Sequence, residues 1–218
     1  MRVLVGCEYS GRVRQAFRNL GHDAWSCDLL GSEDGSQFHI HGDVLPLLTG
    51  GWDLAIFHPP CTHLAVSGAR HFAAKQASGV QQEALDFVRL LLDAPIAMIA
   101  LENPVSIISS RIRKPDQIIQ PWMFGEDASK STCLWLKGLP LLKPTNIVEG
   151  QLYCCGSKIE NGDVRGCPNC NGDKKAKRIY ANQTPSGQNK LGPSPDRWKE
   201  RSRTYPGIAA AFAAQWSI

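Results

Sequence analysis

The chemistry-bearing residues begin with Pro59-Pro60-Cys61. A thiolate is a strong nucleophile when it sits in a partly exposed, electropositive setting. The apolar run Leu54 to Phe57 ahead of it reads as a short buried strand, and the two prolines end it. Proline cannot donate to a sheet ladder and fixes φ. Cys61 therefore falls on a loop at the carboxyl end of a strand, where open α/β sheets place their ligands. The competing reading is a small buried hydrophobe, the usual state of a free cysteine. A second continuous apolar run, residues 96–101, stops at Glu102-Asn103-Pro104. It puts a carboxylate at a matching strand end. Partial burial there would raise its pKa, whereas a strand-end Glu in solvent would titrate normally.

Two further groups could do chemistry. Asp28 closes a short apolar stretch after a glycine-bearing turn, Cys7-Glu8-Tyr9-Ser10-Gly11. A turn and an acid so placed suit the ribose of an adenosine-containing ligand, and they equally suit a solvated strand end. Near the other end, Cys154 and Cys155 and then Cys167-Pro-Asn-Cys170 bracket a polar loop. Cys-Pro-x-Cys before a glycine has the shape of a zinc knuckle, although adjacent cysteines both ligate only through a distorted turn. A four-cysteine zinc site, unligated thiols, and one of Cys154 or Cys155 with another ligand all remain open. His39 and His41 alternate around Ile40 with no third ligand near in sequence, so they read as surface.

The elements that position these groups follow from periodicity. Residues 2–6 read as a strand and residues 13–20 as a helix with Val13, Ala16, Phe17 and Leu20 on one face. Ser10 is the expected N-cap and Gly21 the stop. Residues 24–27 form a second strand, and residues 31–42 read as a loop. A short helical turn follows Asp43. Residues 81–92 form a helix, 130–136 a strand that starts at Lys130, and 208–216 an alanine-rich helix anchored by Phe212 and Trp216. Residues 105–129 are mixed, with proline stops.

With 218 residues, 43% of them apolar and 20% charged, the chain has enough material for one core and a small lobe. No apolar run approaches the ~20 residues of a membrane span. The amino terminus enters a strand without a signal pattern, which implies an intracellular protein. In that compartment eight cysteines speak for metal or catalysis rather than disulfides. The net charge of +4 concentrates in residues 171–203, where Lys174, Lys175, Lys177, Arg178, Lys190, Arg197, Lys199, Arg201 and Arg203 face three acids. Tyr180 and Trp198 are interleaved. Such a segment suits nucleic-acid phosphates, or is a solvated basic face.

Pro59-Pro60-Cys61 on one strand end and Glu102-Asn103 on the next resemble the DNA (cytosine-5) methyltransferases, in their compact bacteriophage and prophage form. Gly42-Asp43-Val44, Asp28 and Lys130 extend the likeness over residues 1 to about 140, and it resumes near Arg203. The resemblance implies a Rossmann-like, doubly wound, mostly parallel α/β sheet that binds S-adenosylmethionine. It implies Cys61 as nucleophile, Glu102 on the base and Lys130 steadying it. The turn of Glu8, Tyr9, Ser10 and Gly11 would meet the methionine part of the cofactor, Asp28 its ribose and Asp43 its adenine amine, with Pro60 beside it. Pro59, Asn103 and His63 would support the loop that holds the base. His58 stands where the family has a glycine, and Thr62-His63 where it has Gln-Gly.

The organisation expected is a catalytic domain over 1–149, a Cys-rich basic recognition lobe over 150–203 with zinc on Cys154, Cys155, Cys167 and Cys170, and a terminal helix over 204–218. The function expected is methyl transfer to carbon 5 of cytosine in DNA, in the cytoplasm, including that of a bacteriophage's host cell. The alternatives are a same-fold enzyme that acts on RNA or a nucleotide, or transfers a substituted methyl group, and an inactive zinc-stabilised nucleic-acid-binding protein.

Overall fold

The computed structural model describes residues 1–159, 169–170 and 175–217. The chain divides into two compact units. The first comprises Met1–Ile119, Ser131–Lys143 and Ile208–Ile218, and the second Gln120–Lys130 and Pro144–Gly207.

A seven-stranded sheet organises the first unit: β1 (Arg2–Gly6), β2 (Asp23–Asp28), β3 (His39–His41), β4 (Leu54–Phe57), β5 (Met98–Pro104), β6 (Gln117–Ile119) and β7 (Thr132–Lys137). Its order is β3-β2-β1-β4-β5-β7-β6. The first five are parallel, and β7 runs antiparallel to β5 and to β6. This is a mostly parallel α/β sheet with helices packed against it. All four residues of β4 are buried, as are Val3, Leu4 and Val5 of β1. Strands covered on both faces must be apolar throughout, which is why these runs do not alternate. The helices are α1 (Arg12–Asn19), α2 (Phe72–Ala77), α3 (Val80–Leu92), α4 (Ile108–Arg111), α5 (Arg197–Ser202) and α6 (Pro206–Trp216), with α5 in the second unit. In α3, Leu85, Val88 and Leu91 form the buried stripe. In α6, Phe212 and Trp216 stack with centroids 4.5 Å apart, and the Trp216 indole donates to the Pro140 carbonyl at 3.0 Å.

Three local expectations need correction. Residues 31–42 are not all loop, because β3 pairs with β2 there as an edge strand too short to show a period. The strand expected from Lys130 begins at Thr132. The cap of α1 is not Ser10. The Glu8 carboxylate turns back over the helix start, taking the Val13 N–H at 2.7 Å and the Arg14 N–H at 3.3 Å, while Ser10 donates to it at 3.3 Å. An anion satisfies the orphan N–H groups of a helix start better than a hydroxyl does.

Arg14, on α1, is fully buried. Its guanidinium pairs with Asp34 and donates to the Ser26 hydroxyl at 2.9 Å. Ser26 in turn bonds His39 Nδ1 at 2.9 Å. A Cβ on Gly11 would overlap the guanidinium, and Gly11 sits at φ 70°, so only glycine fits above it. The arrangement ties the 29–38 loop to the underside of α1.

In the second unit, β8 (Gln151–Cys154), β9 (Ser157–Lys158) and β10 (Lys177–Ile179) form a three-stranded antiparallel sheet. Among the described residues Cys154 and Ile159 form a small buried cluster, with Leu152, Cys170 and Ala176 against them, and Ile179 of β10 is buried as well. Among the described residues no helix is long and apolar enough to cross a membrane.

Burial pushes the Asp34 carboxyl up, but hydrogen bonds from the Ser32 hydroxyl and the Ser36 N–H and the Arg14 charge outweigh it and hold it below the usual carboxylate range. Asp34→Asn should destabilise the protein by about 2 kcal/mol at neutral pH. That is less than the ~3–5 kcal/mol for breaking a fully buried pair, because Asp34 is 40% exposed. A depressed folded pKa gives stability that is present above the unfolded value and lost as pH falls. Thermal melts should therefore show the gap from wild type shrinking below about pH 4. Arg14→Met on top of Asp34→Asn should recover part of the loss.

Candidate active site

The strand order reverses between β1 and β4, and the crevice outside their carboxyl ends is where such sheets take ligands. The turn Cys7 to Gly11 leaves β1 there, and His58-Pro59-Pro60-Cys61 leaves β4. Cys7 has φ 60°, an uncommon value for a residue with a side chain, and it sharpens the exit from β1. Gly6 before it lies so close to Phe57 and Val44 that a Cβ would stand 2.7 and 2.8 Å from them.

Cys61 is partly exposed, at the head of a turn whose carbonyl accepts the N–H groups of Leu64 at 3.0 Å and Ala65 at 2.9 Å. The turn is stapled to the segment after β5, where Ile107 N–H donates to Leu64 O and Val66 N–H to Val105 O. Asn103, buried, donates its amide N–H to the Pro59 carbonyl at 2.9 Å. Glu102 lies beside His58, with Oε2 3.0 Å from Nδ1. The Gln81 amide donates to the His63 carbonyl at 3.2 Å. Thus Pro59, Cys61 and His63, on the loop after β4, meet Glu102 and Asn103 in the last residues of β5.

On the other side of β1, Asp28 ends β2 with Oδ1 accepting the Leu30 N–H at 2.9 Å. Burial raises its pKa, against the Leu30 N–H and the fields of His39, His41 and His58. Asp43 accepts the Leu45 N–H at 3.0 Å. Burial, with Asp28, Cys27 and Asp43 nearby, pushes the Cys7 thiol up to about 12, so both carboxylates act on the β1 turn. Tyr9 and Ser10 are buried. The Glu8 carboxylate is turned onto α1, and Pro60 is exposed. Lys130 belongs to the second unit, where its N–H donates to Gln120 Oε1 and its Nζ to the Arg201 carbonyl at 3.0 Å.

Periodicity missed the use of His39 and His41. Their Nε2 atoms lie 2.9 Å from the Leu30 and Leu29 carbonyls, so the rings clamp the turn that follows Asp28. A carbonyl only accepts, so each Nε2 carries the proton. The signal was their spacing of two, which puts both on one face of an edge strand. His58 was missed as well. Of the buried side-chain polar atoms without a partner among the described residues, four flank the Cys61 turn: His58 Nε2, His63 Nδ1, Asn103 Oδ1 and Ser106 Oγ. Each such atom costs about 1–3 kcal/mol if left unsatisfied, so their concentration marks the place where a ligand or water belongs.

In the second unit the Sγ atoms of Cys154, Cys155 and Cys170 lie within 4.8 Å of one another and could hold a metal ion. Cys154 Sγ is 3.9 Å from Cys155 Sγ and 3.4 Å from Cys170 Sγ. Cys155 and Gly156 form the two-residue turn between β8 and β9 with φ 52° and 81°. Positive φ at both positions is the type I′ hairpin conformation, and it lets two adjacent cysteines share a side. Cys167 lies outside the described residues.

No family model matches the chain, and no curated protein does. Among solved structures, a prophage-encoded protein of E. coli assigned as a DNA modification methyltransferase aligns with 68% of this chain at 14% identity and a TM-score of 0.43. The chain covers 52% of that protein, about half its length.

Burial raises Cys7 to about 12, Cys27 to about 11, and Cys133 in the same direction, so none of them is a thiolate near neutrality. Iodoacetamide at pH 8, read by peptide mass mapping, should modify Cys61 well before these three. Equal rates at Cys61 and Cys27 would contradict the burial seen here.

Proposed function

We propose that the protein transfers a methyl group to carbon 5 of cytosine in DNA, with Cys61 as the nucleophile. The observation that supports this best is the joining of the Cys61 turn to Glu102 and Asn103 on the neighbouring strand end, at the reversal point of the sheet.

Carbon 5 of cytosine is a poor nucleophile on its own. Addition of the Cys61 thiolate to carbon 6 forms a sulfur–carbon bond and moves a ring electron pair to carbon 5. Glu102 protonates ring N3 and accepts from the exocyclic amine, which balances the charge that the thiolate brings in. Once carbon 5 carries the new methyl group it gives its proton to a solvent water. The sulfur–carbon bond then breaks, restoring the thiolate and the aromatic ring. Asn103 keeps the proline turn in place during this cycle through the Pro59 carbonyl.

The residues present fit S-adenosylmethionine. Asp28 and Asp43 both bear on the β1 turn, one suited to ribose hydroxyls and the other to the adenine amine. The Cys7–Gly11 backbone would meet the methionine part, since the Glu8 side chain is engaged with α1. When bound, the cofactor supplies an electrophilic methyl on a sulfonium sulfur.

A base inside a duplex stack cannot reach Cys61, so it must be flipped out or come single-stranded. Among the described residues Lys175, Lys177, Arg178, Lys190, Arg197, Lys199, Arg201 and Arg203 give the second unit a basic surface suited to phosphates. Among the described residues the cluster around Cys154 is small, and a zinc ion on Cys154, Cys155, Cys170 and Cys167 would add to that unit's stability.

Cys61→Ser should abolish methyl transfer, and wild type should form a denaturation-resistant adduct on DNA containing 5-fluorocytosine, because fluorine blocks proton loss at carbon 5. Full transfer by Cys61→Ser would remove the mechanism. Nucleoside mass spectrometry that finds the product in RNA alone would move the reading to a same-fold RNA enzyme. Elemental analysis of freshly purified reduced protein should give about one zinc per chain, and chelation should lower the melting temperature. Absence of metal would discard the zinc site.

A further inference from the structure

His58 stands directly before the Pro59-Pro60 turn, and its neighbour is set by strand register. β4 and β5 run parallel with Phe57 opposite Leu101. The next residue of each strand is therefore His58 and Glu102, side by side. Nδ1 of the imidazole lies 3.0 Å from Glu102 Oε2, and the two side chains are only 8% and 12% exposed. The His58 backbone N–H donates to the Gly6 carbonyl at 2.9 Å, which fixes the residue on the β1 side as well. Its Nε2 is buried without a partner among the described residues. The ring thus has its polar contact at Nδ1, and Oε2 accepts both when the carboxyl group is ionised and when its proton is on the other oxygen. The proton of a neutral His58 then belongs on Nδ1, with Nε2 a bare lone pair.

We propose that His58 is the positioning residue of Glu102, held in the Nδ1–H tautomer so that it aims the carboxyl group and supports its change of charge. The proposal rests on the reaction proposed above. Nδ1–H donates to Oε2 throughout the cycle, while the other carboxyl oxygen meets the base. As the sulfur–carbon bond forms, that oxygen's proton passes to ring N3. The carboxylate left behind keeps the Nδ1–H bond, which is stronger to an anion than to a neutral acid. When the sulfur–carbon bond breaks, the proton returns from N3 to Glu102. His58 gains and loses nothing. Its role is to make the charged form of Glu102 tolerable in a nearly buried place.

Two measurements test this. In intact ¹⁵N-histidine-labelled protein without ligand, long-range ¹H–¹⁵N spectra should show His58 as the Nδ1–H tautomer. Glu102→Ala should return it to the Nε2–H form favoured in free solution. An Nε2–H form in both proteins would overturn the proposal. In steady-state methyl transfer, His58→Leu should lower kcat by about 10²-fold with KM for DNA unchanged, whereas His58→Asn, which keeps an N–H near the Nδ1 position, should stay within about fivefold of wild type. Equal losses in the two variants, or a loss confined to KM, would also overturn it. If wild type methylates no cytosine, the reaction proposed above fails, while the tautomer measurement still decides the pairing of His58 with Glu102.

Discussion

The parallel pairing of β4 with β5 is the constraint on which the site depends. With Phe57 opposite Leu101, the residues that leave β4 are forced into partnership with the last residues of β5. His58 meets Glu102, and Asn103 reaches the Pro59 carbonyl. A slip of one residue would send every side chain of β4 to the other face of the sheet. It would bury none of the same groups together. The wholly apolar β4 specifies burial but not which face carries which residue. The antiparallel partner β7, which pairs with β5 from Ile99 to Pro104, helps to hold the register.

A second polar frame lies across β1 and reaches the loop that follows Asp28. It runs from Glu8 on the start of α1, through buried Arg14 to Asp34 and Ser26, and from Ser26 to His39. Its members come from β2, β3, α1 and two loops, so a loop with little apolar content of its own is held by directional bonds. Such networks are demanding, because a half-satisfied member costs more than an apolar residue in the same place. Here they hold Leu29 and Leu30, both exposed, beside the strand end that carries Asp28.

Runs of buried residues made the central strands legible from sequence. Residues 54–57 coincide with β4, and α1, α3 and α6 appear within two residues of their expected bounds. What escaped has physical reasons. β3 has three residues, fewer than a period-two pattern needs, and it pairs only at an edge. The Glu8 cap escaped because the carboxylate reaches five residues ahead, beyond the usual N-cap spacing. The prolines after the first apolar run placed Cys61 just beyond β4, but the strand expected to stop at Glu102 runs on through Pro104, because Glu102 and Asn103 continue its pairing with β7. The hydrogen bond between His58 and Glu102 spans 44 residues, and local pattern carries no information about it. The three cysteine sulfurs likewise meet through the positive-φ hairpin at Cys155 and Gly156, the distorted turn that adjacent cysteines need and whose form spacing does not give.

The first unit is assembled from three separate lengths of chain, and the last of them begins at Ile208. Phe212 and Trp216, both fully buried, belong to that last length. On a translating ribosome the seven strands would be complete after Lys137, yet the buried side chains of α6 would be absent while residues 144–207 were still being made. At ~5–20 residues per second, that interval lasts several seconds, and an open apolar surface is a hazard over such a time. The first unit is thus most vulnerable while residues 144–207 are being made, when its whole seven-stranded sheet already exists.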